Sequence, residues 1–136
     1  MSEEQIIRDV LGMWAEGLES TKRSWELHAV DDLVWWNSAR GGLTGLRACL
    51  SGIDQMFDLL GVGYVEVPIR HLHAEPGRVF VERSDNLLRP DGSVIADIPV
   101  TGVIDFAGER IAAWRDYCDD WMTKLSRGET TPPTAP

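Results

Sequence analysis

The sequence is poor in the residues on which several classes of protein depend. Its two cysteines, Cys49 and Cys118, stand in no CxxC or other metal-ligand spacing. No apolar run approaches the roughly 18 to 20 residues that span a bilayer, and the first residues, MSEEQII, are acidic and helical rather than a basic leader. We therefore expect a cytoplasmic protein with free thiols.

Positive charge is scarce as well. The chain has 13 Lys and Arg against 22 Asp and Glu, which gives a net charge of −9. Nucleic acids and anionic membrane surfaces are bound chiefly through Lys and Arg, so neither is an expected partner.

Apolar residues are present in sufficient number for one core. They make up 43% of the 136 residues, which suits a single domain and is too little chain for two. The final stretch, SRGETTPPTAP, holds three prolines and little that is apolar. We predict one domain over residues 1–125 and a disordered tail over residues 126–136.

Helical periodicity dominates the first sixty residues. Ser2 and Gln5 form a capping-box signal that precedes a long amphipathic pattern. Hydroxyl residues open a second predicted helix over residues 20–29, and Thr44 is the predicted cap of a third helix that ends at GVG. Between these helices, the β-formers of residues 31–38 predict a strand, which the ARGG stretch ends.

The pattern changes from Tyr64 onward. Four β-rich runs are separated by the turn signals EPG, PDG and AG, which predicts an antiparallel meander. Helices that precede an antiparallel sheet indicate an α+β fold, in which a curved sheet wraps around the helices and leaves a cavity between them.

Charged residues occur on strand faces that are otherwise apolar. Alternation places Arg83 and Asp85 on the same face as Val79, Val81 and Leu87, where the core is expected. Paired buried charges are seldom present for stability, so this pair suggests a function.

Two other strands carry polar residues on corresponding faces. In RIAAWRDYCD, Asp116 shares its face with Trp114 and Cys118, and in the earlier strand Asn37 shares its face with Trp35. A cavity lined by these three faces would hold a polar cluster within an apolar pocket.

Such a cluster suits acid and base catalysis. Two carboxylates in a poorly solvated site cannot both ionise cheaply, so one stays protonated while the other stays charged, and an arginine fork between them sets their geometry. Water can then be deprotonated on one side of a substrate while a leaving oxygen is protonated on the other. The amide of Asn37 can accept a hydrogen bond from that water.

The segments WWN, ERSD and WRDY together resemble the limonene-1,2-epoxide hydrolase family, within the wider NTF2-like group of cone-shaped α+β folds that includes ketosteroid isomerase and SnoaL-type polyketide cyclases. The resemblance implies a cofactor-free homodimeric epoxide hydrolase with an Asp-Arg-Asp triad. By motif position, Asp116 is the base that activates water, Asp85 is the acid that protonates the epoxide oxygen, Arg83 bridges them and Asn37 positions the water.

Trp35 departs from the family pattern, which has a tyrosine two residues before the asparagine. An indole N–H donates a hydrogen bond but cannot accept one. The water site is therefore expected to be altered, and the substrate to differ from a small cyclic terpene oxide. A substrate hydroxyl in place of water would make the protein a cyclase that works by epoxide opening.

The remaining residues have simpler interpretations beside the functional ones. The predicted substrate-contacting residues are also explained by packing: Ile98, Val100, Trp114 and Cys118. His71 and His73 share a strand face, but two ligands without a third do not predict a metal site. The three charges can be a structural ion-pair network, and the fold can serve an isomerase, a cyclase or a non-catalytic ligand carrier.

Overall fold

The computed structural model describes residues 1–120, 124 and 127–128. The predicted tail, residues 126–136, lies outside the described residues except for Arg127 and Gly128, so it stays a prediction together with the domain boundary at residue 125. Within the described residues, the α-helices and strands in chain order are α1 (Glu3–Met13), α2 (Leu18–His28), β1 (Ala29–Asn37), β2 (Gly41–Thr44), α3 (Leu46–Leu60), β3 (Tyr64–Glu66), β4 (Ile69–Glu75), β5 (Arg78–Leu88), β6 (Val94–Ala107) and β7 (Arg110–Tyr117). A single 3-10 turn, Trp14–Glu16, follows α1.

Helix α1 begins at the predicted capping box. The Ser2 hydroxyl accepts a hydrogen bond from the Gln5 backbone N–H at 3.1 Å, and the Gln5 side chain accepts one from the Ser2 backbone N–H at 2.8 Å. The apolar stripe of the helix is buried, as its periodicity predicts: Ile6, Ile7, Val10 and Leu11.

The predicted starts of the other two helices were wrong. Helix α2 begins after Gly17 and helix α3 begins after Gly45, without a side-chain cap at either position. Both glycines have positive φ, 108° and 101°, which lets the chain turn sharply into the helix. Thr44, predicted to cap α3, is instead the last residue of β2, a short exposed strand that the sequence did not reveal.

The sheet is mixed, with the strand order β2-β1-β7-β6-β5-β3, and β4 pairs with β5 beside β3. Strands β5, β6 and β7 form the predicted antiparallel meander, whereas β1 pairs with β7 in parallel. The first predicted β-run forms two strands, β3 and β4, because strand pairing is interrupted at Val67 and Pro68. Both strands then pair with β5.

One face of the curved sheet packs against the helices, which confirms the predicted α+β class. Four of the five predicted inward residues of β5 are buried, and the fifth, Asp85, is partly buried: Val79, Val81, Arg83 and Leu87 are the buried ones. Leu33 and Trp114, from β1 and β7, join the same core. None of the described helices is both long and apolar enough to cross a membrane.

Candidate active site

A cavity of about 60 Å³ lies between the helices and the sheet. Its walls are mostly apolar, and they include side chains from both layers: Trp14, Trp25, Phe57, Val65, Leu87 and Ile98. The polar part of the lining is small and includes Asp85 and Asp116, which come from β5 and β7. Strand alternation therefore brings the predicted carboxylates into one cavity.

Arg83 lies between these two carboxylates and donates two hydrogen bonds to each of them. Its Nη1 and Nη2 each donate to Asp116 at 2.9 Å, and its Nε and Nη2 donate to Asp85 at 2.8 and 3.1 Å. The Arg83 side chain is 0% exposed, against 7% for Asp116 and 17% for Asp85. The arginine is thus fixed behind the carboxylates, and Asp85 is the more open of the two.

A third donor fixes the orientation of Asp116. The indole Nε1 of Trp114, two residues earlier on β7, donates to Asp116 Oδ1 at 3.0 Å. The Trp114 ring is fully buried, with its centroid 5.4 Å from that of Trp14 and 6.1 Å from that of Trp25. It is not among the residues that line the cavity, so the predicted substrate contact of Trp114 is corrected to a position behind the cavity wall.

Gly102 makes room for this arrangement, and it was not predicted as a site residue from the sequence. It lies on β6 between Val81 and Asp116, its partners on the neighbouring strands. A Cβ atom at this position would lie 2.7 Å from Arg83 Nη1 and 3.1 Å from Asp116 Oδ1. A glycine inside a strand is a known sign of close approach, and it was the only available signal.

The charged groups of the Asp-Arg-Asp cluster shift one another's pKa. Burial raises the pKa of the Asp85 carboxyl; the Arg83 guanidinium opposes this shift, the charge of Asp116 adds to it, and the net change is upward. Burial alone would lower the pKa of Arg83, but the carboxylates of Asp116 and Asp85 outweigh it, so the pKa is raised and the guanidinium stays charged. The cluster therefore favours a neutral acid at Asp85.

Asn37 lines the cavity, but its side-chain oxygen is already occupied. Its Oδ1 accepts hydrogen bonds from the Ala39 backbone N–H at 2.8 Å and from the Cys118 thiol at 3.4 Å. Burial raises the pKa of that thiol, which keeps it protonated as a donor. An amide oxygen has two lone pairs, so the predicted acceptor role of Asn37 toward water is corrected: its free capacity is that of the amide nitrogen, a donor.

Trp35 forms one side of the cavity. Its ring lies edge-on to Trp25, with the centroids 4.9 Å apart, and the Arg40 guanidinium carbon lies 4.1 Å from the Trp35 ring centroid. Gly52 of α3 faces both Leu43 and the same ring: a Cβ atom there would lie 2.6 Å from Leu43 Cδ1 and 3.3 Å from the Trp35 Cζ3 atom. The bulk of the indole is thus accommodated by a glycine on the opposite helix.

The other predicted site residues are placed as follows. Ile98, Val100 and Cys118 line the cavity. His71 and His73 are exposed on β4, away from it, and no group of three or more potential metal ligands occurs among the described residues. Arg40 also lines the cavity and was missed, because a turn residue in ARGG gives no periodicity by which to place it.

Fold and cavity together define an α+β protein with an internal cavity beside an Asp-Arg-Asp cluster. The family model described as limonene-1,2-epoxide hydrolase catalytic domain matches residues 18–127. The chain belongs to the limonene-1,2-epoxide hydrolase family. None of the curated proteins compared with the chain matches it.

Solved structures agree with this placement. An LEH-like epoxide hydrolase from M. tuberculosis is 27% identical, with a TM-score of 0.70 and coverage of 91% of this chain and 89% of that chain. SnoaL-like polyketide cyclases, described as putative, share the fold. The protein from Shewanella putrefaciens CN-32 is 17% identical, with a TM-score of 0.72 and coverage of 93% of this chain and 96% of that chain. The protein from Jannaschia sp. CCS1 is 16% identical, with a TM-score of 0.69 and coverage of 98% of each chain.

Proposed function

We propose that the protein is a cofactor-independent epoxide hydrolase that adds water to an apolar epoxide in one step to give a vicinal diol. The observation that supports this best is the Arg83 guanidinium bound by two hydrogen bonds to each of two carboxylates at the wall of an apolar cavity. A single catalytic aspartate, as an isomerase would need, does not require an arginine held between two carboxylates.

The two carboxylates have opposite roles in this reaction. Asp116, which accepts three hydrogen bonds, acts as the base and takes a proton from the attacking water. Asp85, whose pKa is raised, gives a proton to the epoxide oxygen as the carbon–oxygen bond breaks. The diol is then complete, and a proton returned from Asp116 to Asp85 through solvent restores the starting state.

The remaining site residues orient the reactants. Asn37, through its amide nitrogen, donates a hydrogen bond to the water and leaves a lone pair for attack. Trp35, Ile98, Val100 and Cys118 bound the space for the apolar part of the substrate. Because an indole cannot accept the hydrogen bond that a tyrosine hydroxyl could, water activation depends more heavily on Asp116.

The test is a single turnover of a cyclic epoxide in heavy-oxygen water, followed by mass analysis of the diol. Direct attack by water puts the heavy oxygen into the diol in the first turnover, whereas a covalent aspartyl ester would deliver ordinary oxygen from the enzyme. Asp116→Asn and Asp85→Asn are each expected to lower turnover roughly 100-fold or more.

Asp105→Asn provides a matched control for these variants. Asp105 also bridges two arginines, Arg78 at 2.7 Å and Arg115 at 2.6 Å, but it is not among the cavity-lining residues. Its substitution should leave turnover within about twofold of the wild type.

If no epoxide reacts, the hydrolase proposal fails, and ligand binding that survives Asp116→Asn would then favour a carrier. Ring closure onto a substrate hydroxyl would favour a cyclase.

We further propose a homodimer that resides in the cytoplasm. The outer face of the sheet, opposite the helices, carries several partly exposed apolar side chains: Val34, Trp36, Phe80, Val103 and Tyr117. Such a face is typical of an interface between copies of a chain. The free thiols of Cys49 and Cys118 suit a reducing compartment.

A further inference from the structure

Arg40 lies where the inner cavity meets an outer groove. It lines both spaces, as do Trp35 and Met56. The groove, of about 280 Å³, is bounded further out by Leu43 and Leu59. A molecule that places its reacting atoms beside Asp116 and extends into this groove therefore passes Arg40.

The local structure holds Arg40 at this junction. Its backbone N–H donates to the Asn37 carbonyl at 3.2 Å, in the turn that the Asn37 side chain also stabilises through the Ala39 N–H. Its guanidinium lies over the Trp35 ring, a contact that retains the positive charge and leaves the edges of the planar fork available for hydrogen bonds.

Arg40 also has no carboxylate bound to its guanidinium among the described residues, although the charge of Asp116 acts on it at longer range. Within the described part of the chain it forms no ion pair or hydrogen bond through its guanidinium, whereas Arg78, Arg83 and Arg115 are each bound to a carboxylate. Among the described lining residues of the inner cavity, Arg40 and the two site carboxylates are the charged ones. With Asp85 protonated, as the proposed reaction requires, the charges of Arg83 and Asp116 cancel. The charge of Arg40 is then the one near the cavity that is left to attract an anionic group.

We infer that Arg40 binds a carboxylate group of the substrate, so that the enzyme takes epoxides that carry a carboxylate on a compact apolar frame. This inference rests on the proposed function and names its substrate class. A single guanidinium fork matches the two oxygens of a carboxylate. A phosphate dianion would need a second cation, and the described lining of the cavity and groove supplies none.

The test compares two probes of nearly the same shape, 3,4-epoxycyclohexane-1-carboxylate and its primary carboxamide, which lacks the charge. The wild type should show a kcat/KM at least roughly fivefold higher for the carboxylate, through a lower KM. Arg40→Gln should abolish that preference, and Arg40→Lys should retain part of it. Arg47→Gln is the matched control, because Arg47 is exposed on α3, lines neither space, and its loss changes the net charge by the same amount.

A binding measurement separates this inference from the hydrolase proposal. Cyclohexanecarboxylate and cyclohexanecarboxamide carry no epoxide, and their binding can be followed by calorimetry and by intrinsic tryptophan fluorescence, to which Trp35, in contact with Arg40, contributes. Tighter binding of the carboxylate that is lost in Arg40→Gln supports the inference even if no epoxide is hydrolysed. Equal affinity for both compounds, or a loss in Arg40→Gln that is the same for both, would overturn it, whatever the turnover.

Discussion

Gly102 contributes no side chain to the Asp-Arg-Asp cluster, but the geometry of the cluster depends on it. We predict that Gly102→Ala lowers kcat roughly 10- to 100-fold with little change in KM. The added methyl group would lie 2.7 Å from Arg83 Nη1, and this fully buried guanidinium must then shift relative to Asp116. Overpacking of this kind should also cost about 1–3 kcal/mol of unfolding free energy.

The matched control is Gly12→Ala in α1, where a Cβ atom would meet nothing within 4 Å. Steady-state kinetics and urea unfolding of both variants check the prediction. A Gly102→Ala enzyme with wild-type kcat would show that the guanidinium position is not critical.

The protonation of Asp85 predicts a pH dependence. Because the acid must be protonated, kcat/KM should fall as pH rises through the Asp85 pKa. Burial raises that pKa, so the fall should come at a higher pH than the value of about 3.9 for a free aspartate. A pH profile in which activity rises across this range would contradict the assignment of Asp85 as the acid.

The same group has a predictable effect on stability. A pKa raised in the folded state contributes stability below the unfolded pKa, and this is lost as pH rises through the folded pKa. The stability of the wild type relative to Asp85→Asn should therefore fall as pH rises through the folded-state pKa of Asp85, which lies above its ordinary value. The ionisation of Asp105 affects stability in the opposite direction. Burial would raise the pKa of Asp105, but Arg115 and Arg78 outweigh burial, so the pKa is lowered. A lowered pKa contributes stability that is lost as the solution is acidified.

At the residue scale, the sequence was informative where a charge interrupts a periodic pattern. Arg83, Asp85 and Asp116 stood out because strand alternation placed them among buried apolar residues. Gly102 and Arg40 did not stand out, since a missing side chain leaves no charge to notice and a turn has no face. The hydrogen bonds of Asn37 depend on Cys118, 81 positions away, and no local pattern reports such a contact.

At the element scale, the packing of α3 against β1 explains how tryptophan fits at position 35. Gly52 leaves a space on α3 that the Trp35 ring fills. We predict that Trp35→Tyr destabilises the protein by about 1–3 kcal/mol through the gap it leaves. Gly52→Ala should then be more favourable to the stability of the Trp35→Tyr protein than to that of the wild type, because the methyl group enters space that the indole no longer occupies. The close contact of that methyl group with Leu43 Cδ1, at 2.6 Å, is common to both proteins.

Urea unfolding of the two single variants and the double variant measures this coupling. Gly12→Ala, made in both backgrounds, gives the contribution of helix propensity alone, about 1 kcal/mol. Equal effects of Gly52→Ala in the two backgrounds would mean that the helix and the strand are not matched at this contact.

The elements themselves were predicted unevenly. Helix α1 and strand β5 follow from a capping box and from strict alternation, both of which are local signals. The starts of α2 and α3 were misplaced because positive-φ glycines, rather than capping hydroxyls, open them. Strand β2 was missed because its four residues are exposed and carry no alternation in burial.

For the whole molecule, the α+β class followed from the order of helices and strands, but the parallel pairing of β1 with β7 did not. That pairing joins residues 29–37 to residues 111–116, and it brings Asn37 level with Asp116. Sequence separation of this size leaves no periodic trace. The cavity could therefore be expected from the fold class, whereas its closure by β1 required the structure.

The proposed dimer gives the prediction for the molecule as a whole. A row of side chains crosses four strands on the outer face of the sheet: Trp36, Arg115, Val103 and Phe80, each paired with the next. Light scattering should give twice the 15.2 kDa chain mass. Val103→Asp, which places a charge in the centre of this row, should yield a monomer, while Leu27→Asp, at an exposed position on α2, should not.

The monomer is also expected to remain active. All the residues assigned to the site come from one chain and lie on the inner face, whereas Val103 faces outward between its partners Phe80 and Arg115. We therefore predict that monomeric Val103→Asp keeps kcat within about threefold of wild type while losing unfolding free energy at equal chain concentration, because dissociation removes a mass-action contribution. A dimer that survives Val103→Asp would place the interface elsewhere, and a monomer without turnover would mean that the cavity needs the second copy to hold its shape.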